Sequence, residues 1–301
     1  MSGGKHAAAE RSETGRNGSD QDALANADIG ERREVARPAT AAPPATAEAL
    51  PEPYVRPDLY DLLFGNYRVD LGFWLELARA ARGPVLDLCC GTGRVLLAAL
   101  EAGVDAEGAD LYPEMLERLR TNASARGLEA RAHRADMRSF ALPRRYAAVL
   151  IPFNAFAHNL TADDQLATLE CCREHLAPGG LLALDVFSAT PEMVAHPVAD
   201  PVMELEVHDP ASGRTFQLYD GRALDPARQI QRSAIEIREL DGDRTPVASH
   251  RFETEVRWVY PSEMELLLRL SGFARWEIFG GFDRRPCSAA SGSIVVTAWR
   301  A

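Results

Sequence analysis

VLDLCCGTGR, residues 85–94, carries an apolar run into an aspartate, two adjacent cysteines and a glycine turn. PVLDL (84–88) reads as a short strand, and GRVLLAALEAG as a helix closed by Gly103. A glycine turn between strand and helix leaves bare backbone N–H groups at the helix N-terminus, and its glycines admit a ligand where a Cβ would collide. A dinucleotide loop needs G-x-G-x-x-G. Gly91 and Gly93 are present, but Leu96 stands at the third position. The loop therefore suits an uncharged or zwitterionic nucleoside better than a diphosphate.

Outward from this stretch the pattern continues as strand and helix in alternation. VDAEGAD (104–110) is a strand, and Pro113 opens the helix PEMLERLRTNASARG, with Met115, Leu116 and Leu119 on one side. ARAHRAD (130–136) and YAAVLIPF (146–153) read as strands. Thr161 and Asp164 form a capping-box-like start to the helix TADDQLATLECCREHLAPGG, which Gly179 ends, and GLLALDVFS (180–188) follows as a strand. Such alternation predicts an α/β fold, a parallel sheet with helices on both faces. From about 200 to 259 the helices stop. Four strand-like runs are separated by DPASG, DPARQ and DGDRTP, which predicts an antiparallel β insert. Ser262 and Glu265 cap a second helix, PSEMELLLRLSG, and RWEIFGGF and SGSIVVTAWR close the chain as strands.

Before the core, YDLLFGNYRVDLGFWLELARAA sets Tyr60, Phe64, Tyr67, Leu71 and Trp74 three to four residues apart, a helical stripe that Gly65-Asn66 breaks in two. Residues 1 to 50 contain no Phe, Trp or Tyr and few large aliphatics, so they cannot bury enough apolar surface to offset their ordering entropy. The expected organisation is a disordered tail (1–50), an α/β core (51–199), the β insert (200–259) and the C-terminal part of the core (260–301).

Composition narrows the partners. A net charge of −11 and the lack of a basic cluster argue against nucleic acid. Lysine occurs once, at Lys5, an arginine bias typical of GC-rich bacterial genomes. No stretch approaches the roughly 20 apolar residues of a membrane helix, and the N-terminus lacks a secretory h-region. A cytoplasmic protein without membrane contact is expected. A homodimer is allowed but not demanded. Cys89-Cys90 and Cys171-Cys172 are adjacent pairs, which rarely bridge, and with Cys287 they show no zinc spacing; reduced structural thiols and no metal are expected.

Three acids end successive strands. Asp87 ends the first; Asp110 ends the second, where a carboxylate can accept both ribose hydroxyls; Asp136-Met137 ends the third, an acid and an apolar side chain suited to adenine. Taken with the glycine loop and with HLAPGG before a strand, VLDLCCGTGR, ADLYPEML and ADMR resemble the class I S-adenosylmethionine-dependent methyltransferases, over roughly residues 54 to 301. The resemblance implies a Rossmann-like seven-stranded sheet of order 3-2-1-4-5-7-6 with an antiparallel seventh strand, and S-adenosylmethionine as cofactor. It carries cofactor contacts onto the first strand and its loop (Asp87, Cys89, Gly91, Gly93, Arg94), onto Asp110, Leu111 and Met115, and onto Asp136 and Met137. Phe153 and Asn154 join them from the end of strand four. The aromatic N-terminal stripe and the β insert look like the small-molecule branch that includes glycine N-methyltransferase and sugar-amine N,N-dimethyltransferases, a resemblance that implies an insert roofing the acceptor pocket and makes Tyr60 and Tyr67 candidates to lie over the cofactor.

The end of strand four reads IPFNAFAH. It lacks the Asn/Asp-Pro-Pro-aromatic element of amine-directed nucleic-acid methyltransferases and the aspartate of metal-dependent catechol-type enzymes. His158 there is the candidate base, because imidazole titrates near neutrality, with Tyr67 beside it. His158, Tyr219, Arg222 and Phe282 are the candidate acceptor contacts; His175 is given no catalytic role. The expected activity is methyl transfer to an amine of a small biosynthetic metabolite. Oxygen or carbon methylation of an aromatic molecule, and a catalytically silent cofactor-binding protein, stay open.

Overall fold

The computed structural model describes residues 51–195 and 200–301, so the expectation of a disordered tail over 1–50 lies outside the described residues. Two helices lead in, α1 (Pro57–Phe64) and α2 (Leu71–Ala80). Then follow β1 (Val85–Leu88), α3 (Arg94–Glu101), β2 (Ala106–Asp110), α4 (Pro113–Ala125), β3 (Ala132–Arg134), β4 (Tyr146–Ile151), α5 (Ala162–His175) and β5 (Leu176–Phe187). After the short α6 (Pro191–Ala195) come β6 (Val202–Asp209), β7 (Arg214–Asp225), β8 (Ile230–Leu240) and β9 (Pro246–Arg257). The chain closes with α7 (Pro261–Leu270), β10 (Arg275–Phe279) and β11 (Ser293–Trp299).

Strands β1–β5, β10 and β11 form one seven-stranded sheet in the order β10-β11-β5-β4-β1-β2-β3. Counting along this sheet alone, that is 3-2-1-4-5-7-6. β11 runs antiparallel to both β5 and β10, while β1 to β5 pair in parallel. Because side chains alternate along a strand, each buries two apolar layers. Val149 and Ile151 of β4 join one core cluster with Leu169 of α5 and Leu268 of α7, whereas Ala148 and Leu150 join the other with Trp74, Leu96 and Leu119 of α2, α3 and α4. Strands β6 to β9 make a separate antiparallel sheet, order β6-β7-β8-β9. Its apolar face packs on α1, with Phe216, Leu218, Ile237 and Phe252 against Leu59 and Leu63.

Most boundaries fall within a few residues of the periodicity, and three differ for local reasons. Helix α5 stops at His175, and Leu176 is already extended (φ −72°, ψ 145°), because Pro178 disfavours a helical conformation at Ala177. HLAPGG thus begins β5 rather than ending a helix. Helix α7 starts at Pro261 with Tyr260 as N-cap and no side-chain cap, so Ser262 and Glu265 form no capping box; proline at the first helical position needs none. The third strand keeps only Ala132–Arg134, at the sheet edge. The Thr161 cap is present, its hydroxyl accepting from the Asp164 amide at 3.1 Å, and Gly65-Asn66 lies between α1 and α2.

Candidate functional site

Strand β1 is flanked by β2 on one side and β4 on the other, so the direction of sheet growth reverses there. In open α/β sheets such a switch point leaves a crevice at the carboxyl ends of the strands. A cavity of about 630 Å³ opens at this place, within the roughly 300–1,000 Å³ range of small-molecule sites. Its floor is the loops after β1 to β4; its roof is α1 and the apolar face of the β6–β9 sheet.

The β1–α3 loop turns on unusual backbone. Cys89 has φ +63°, Gly91 +53° and Gly93 +96°. A Cβ on Gly93 would also stand 2.9 Å from Leu97 Cγ, so this position takes glycine for conformation and for space. Around Gly91, by contrast, a Cβ would meet nothing within 4 Å, because that residue faces the cavity. Its amide donates to Asp110 Oδ2 at 2.8 Å, and the Tyr112 amide donates to Oδ1 at 2.9 Å. These bonds hold the carboxylate at the cavity wall, where burial raises its pKa to about 6. Leu111, Met115, Asp136, Met137 and Cys89 also line the cavity. Asp136 is bound by Arg138 (2.6 Å), which holds its carboxyl below the usual range. The Cys89 thiol sits 3.8 Å from Met137 Sδ, and burial pushes its pKa well up, so it is an inert packing group.

The turn after β4 carries two successive non-glycine residues in the left-handed region, Phe153 (φ +62°) and Asn154 (φ +59°). Such strain persists only where the surroundings over-determine it. Here Asp185 of β5 accepts from the Asn154 amide at 3.0 Å. Phe153 and Asn154 line the cavity, and the buried Asn154 Oδ1 has no partner. The same is true of Asp185 Oδ1 and of both Asp87 oxygens, and burial raises each of these two carboxyls to about 7.

Tyr67, Asp87, Gly93 and Arg94 do not line the cavity. Asp87 lies buried beneath the loop. Arg94 is bound to the buried Asp70 at 2.5 and 2.7 Å and stacks 5.1 Å from the Phe153 ring and 5.3 Å from the Tyr67 ring. Tyr67 therefore packs behind Phe153, their ring centroids 5.3 Å apart, instead of over the ligand space. Tyr60 does line it, and so does Tyr54, which sequence reasoning missed. Tyr54 stands where the composition turns globular, and only its place opposite His158 marks it out.

His158 ends a 3₁₀ turn after β4, at the cavity wall. Its Nε2 lies 2.7 Å from the Tyr54 hydroxyl. Burial depresses the imidazole to about 4, against a weaker opposing hydrogen bond with the Glu255 backbone. The expectation of titration near neutrality is thereby corrected: His158 is neutral and weakly basic, and Tyr54 is held protonated by the same burial. Tyr219, Arg222 and Phe282 lie away from the cavity. Alternation along β7 turns Leu218 to it and Tyr219 to the opposite face, beneath Arg238 at 4.1 Å. Arg222 is engaged by Asp220 and Glu204, and Phe282 packs on Phe73 and Trp74. His175 bonds backbone, at 2.8 Å from the Cys171 carbonyl.

The donor set fits S-adenosylmethionine. The Asp110 carboxylate at the cavity wall suits the hydroxyls of a nucleoside, and the unpartnered Asn154 Oδ1 at the wall suits an ammonium. All five cysteines are free, and among the described residues no cluster of His, Cys, Asp and Glu could hold a metal ion. Among them, too, no helix is long and apolar enough to cross a membrane.

Fold and site together define a Rossmann-like protein with a cavity at the carboxyl end of β1 suited to a nucleoside-type ligand. A methyltransferase-domain family profile matches residues 85–180. The dTDP-3-amino-3,4,6-trideoxy-alpha-D-glucopyranose N,N-dimethyltransferase of Streptomyces venezuelae is 32% identical over 136 residues, 42% of this chain and 55% of that protein. The cypemycin N-terminal methyltransferase of a Streptomyces species is 25% identical over 247 residues, 79% of this chain and 93% of that protein. In structure, the CcbJ methyltransferase from Streptomyces caelestis aligns with a TM-score of 0.66 at 23% identity, covering 83% of this chain and 98% of its own, a likeness of fold. The profile over residues 85–180, the partial likeness to the sugar dimethyltransferase and the fold support a class I S-adenosylmethionine-dependent methyltransferase. The match to the sugar dimethyltransferase spans about half of that protein's length.

Proposed function

We propose that the protein transfers a methyl group from S-adenosylmethionine to an amine nitrogen on a small metabolite. The observation that carries this reading is one cavity lined both by Gly91 and Asp110 and by the Tyr54–His158 pair, under the apolar roof. When bound, the cofactor supplies a methyl group already activated on a sulfonium. The protein's own part is alignment, since near-attack positioning alone can contribute on the order of 7–11 kcal/mol. Asp110 accepts from ribose hydroxyls, Asp136 and Met137 hold the base, and Phe153 with Tyr60 excludes water beside the sulfur end. A neutral amine attacks without a base. The Tyr54 hydroxyl and neutral His158 therefore orient the acceptor rather than store its proton. Both relatives' names point to nitrogen: one acts on an amino sugar carried on dTDP, the other at the N-terminus of cypemycin.

The test is to incubate the protein with methyl-labelled S-adenosylmethionine and panels of small amines, phenols and peptides, and to locate the label by mass spectrometry. Label on an amine nitrogen is the expected result. Label on oxygen or carbon would overturn the nitrogen assignment, and cofactor binding with no transfer to any panel or to cell extract would favour a silent binder.

A further inference from the structure

The acceptor end of the cavity has a chemistry of its own. The β6–β9 sheet presents Leu218, Ile235 and Phe252 to it, and Leu63 faces them from α1. Within this apolar wall the Thr254 hydroxyl is buried without a hydrogen-bond partner. Glu52 sits at the same wall, its carboxyl raised by partial burial. Arg138 supplies the one Arg or Lys side chain among the described lining residues, and its guanidinium is bound to Asp136 (2.6 Å) and Asp164 (3.2 Å).

These features select between the amines that the proposed methyl transfer would allow. A diphosphate is recognised by arginine forks, lysines or clustered backbone N–H groups. Set against Glu52 and an aliphatic wall, it would lose its hydration and gain repulsion. An ammonium on a hydrocarbon body gains on both counts, with Glu52 as counter-charge and Leu218, Ile235 and Phe252 as apolar cover. Thr254 adds one directional hydrogen bond.

We infer that the acceptor is an amine on an apolar body, carrying no phosphate, seated against Leu218, Ile235 and Phe252 with its nitrogen end between Glu52 and the Tyr54–His158 pair. This rests on the methyl-transfer reading for the identity of the site and departs from the dTDP-linked substrate named for the Streptomyces venezuelae relative.

The test is a calorimetric titration of the full chain saturated with S-adenosylhomocysteine. The probes are N-methyl-4-phenylbutylamine, its neutral counterpart 4-phenylbutanol, and dTDP. The amine should bind more tightly than the alcohol, and dTDP should not displace it. Ile235→Asn should weaken the amine by about tenfold, the scale of one exposed polar group in an apolar wall. Glu52→Gln, a partly exposed position that leaves the core untouched, should reduce the preference for amine over alcohol. Displacement of the amine by dTDP, or an amine affinity indifferent to both substitutions, would overturn the inference. Binding does not require turnover, so the two readings separate. An amine that binds as described but never acquires labelled methyl sinks the methyl-transfer reading alone. Labelled transfer that dTDP blocks sinks this one alone.

Discussion

At Asp110 the two carboxylate oxygens have opposite obligations. Each accepts one backbone N–H, from Gly91 and from Tyr112, and each must keep a lone pair for a ribose hydroxyl. Asp110→Asn removes that symmetry, because its NH₂ group would face one of the two amide donors. Cofactor affinity should fall by about tenfold to a hundredfold, the worth of one charge-assisted hydrogen bond. The melting temperature without ligand should change far less; an unchanged dissociation constant would refute the placement of the ribose. His158 gives a second prediction at this scale. With burial lowering its pKa to about 4, the imidazole is uncharged at neutral pH and keeps a single ring N–H. Turnover of an amine acceptor should therefore show no histidine titration between about pH 6 and 9. His158→Ala should cost about tenfold, the worth of one orienting hydrogen bond, rather than the 10²–10⁴ of a general base. A loss in the larger range, with a shifted acidic limb, would restore the base.

At the scale of elements, α2 and α3 are joined through one buried ion pair. Asp70 is 1% exposed and accepts both Arg94 nitrogens and the Trp74 indole N–H at 2.9 Å. Asp70→Ala should destabilise the protein by about 3–5 kcal/mol, since it strands a buried guanidinium. Replacing both partners, Asp70→Leu with Arg94→Met, should recover most of that loss. Equilibrium denaturation of both variants beside the unaltered protein checks both statements, and equal stability of single and double variants would show that the pair itself does not link these helices. The same elements show what was legible in the chain. The alternating strands and helices were, through local signals such as Asp87 before Gly91 and Gly93 or Pro113 opening α4, while the order of the seven strands came from the family resemblance. Side-chain direction was not. Whether Leu218 or Tyr219 faces the cavity depends on β7's register against β8, and TFQLYDGRAL lacks the clean alternation of IQRSAIEIREL. The break at Gly65-Asn66 likewise turns Tyr67 behind Phe153, so a helical stripe that is continuous in sequence divides between ligand wall and core.

Over the whole molecule, the carboxylates fall into two groups with separate pH windows. Asp58, Asp105, Asp136 and Glu206, all near the surface, are held below the usual carboxylate range by neighbouring arginines. Their stabilisation is present above the unfolded value near 4 and is lost only as pH falls below it. Asp87, Asp110 and Asp185 stand at the ends of β1, β2 and β5 and are raised by burial to about 7, 6 and 7. For a raised carboxyl the sign reverses: stability is full below the unfolded pKa and declines as pH rises through the folded one. The ligand-free protein should therefore lose melting temperature between about pH 5 and 7.5. A bound ligand whose hydroxyls donate to Asp110, the one of the three that lines the cavity, favours its ionised form, so S-adenosylhomocysteine should bind more tightly as pH rises through about 6. The melting shift it causes should widen accordingly, by mass action. Melting curves at pH 5 to 8, with and without ligand, test the pair of statements together. A ligand shift independent of pH would mean that Asp110 does not meet the cofactor; if it does, Asp110→Asn should remove the part of the slope centred near pH 6.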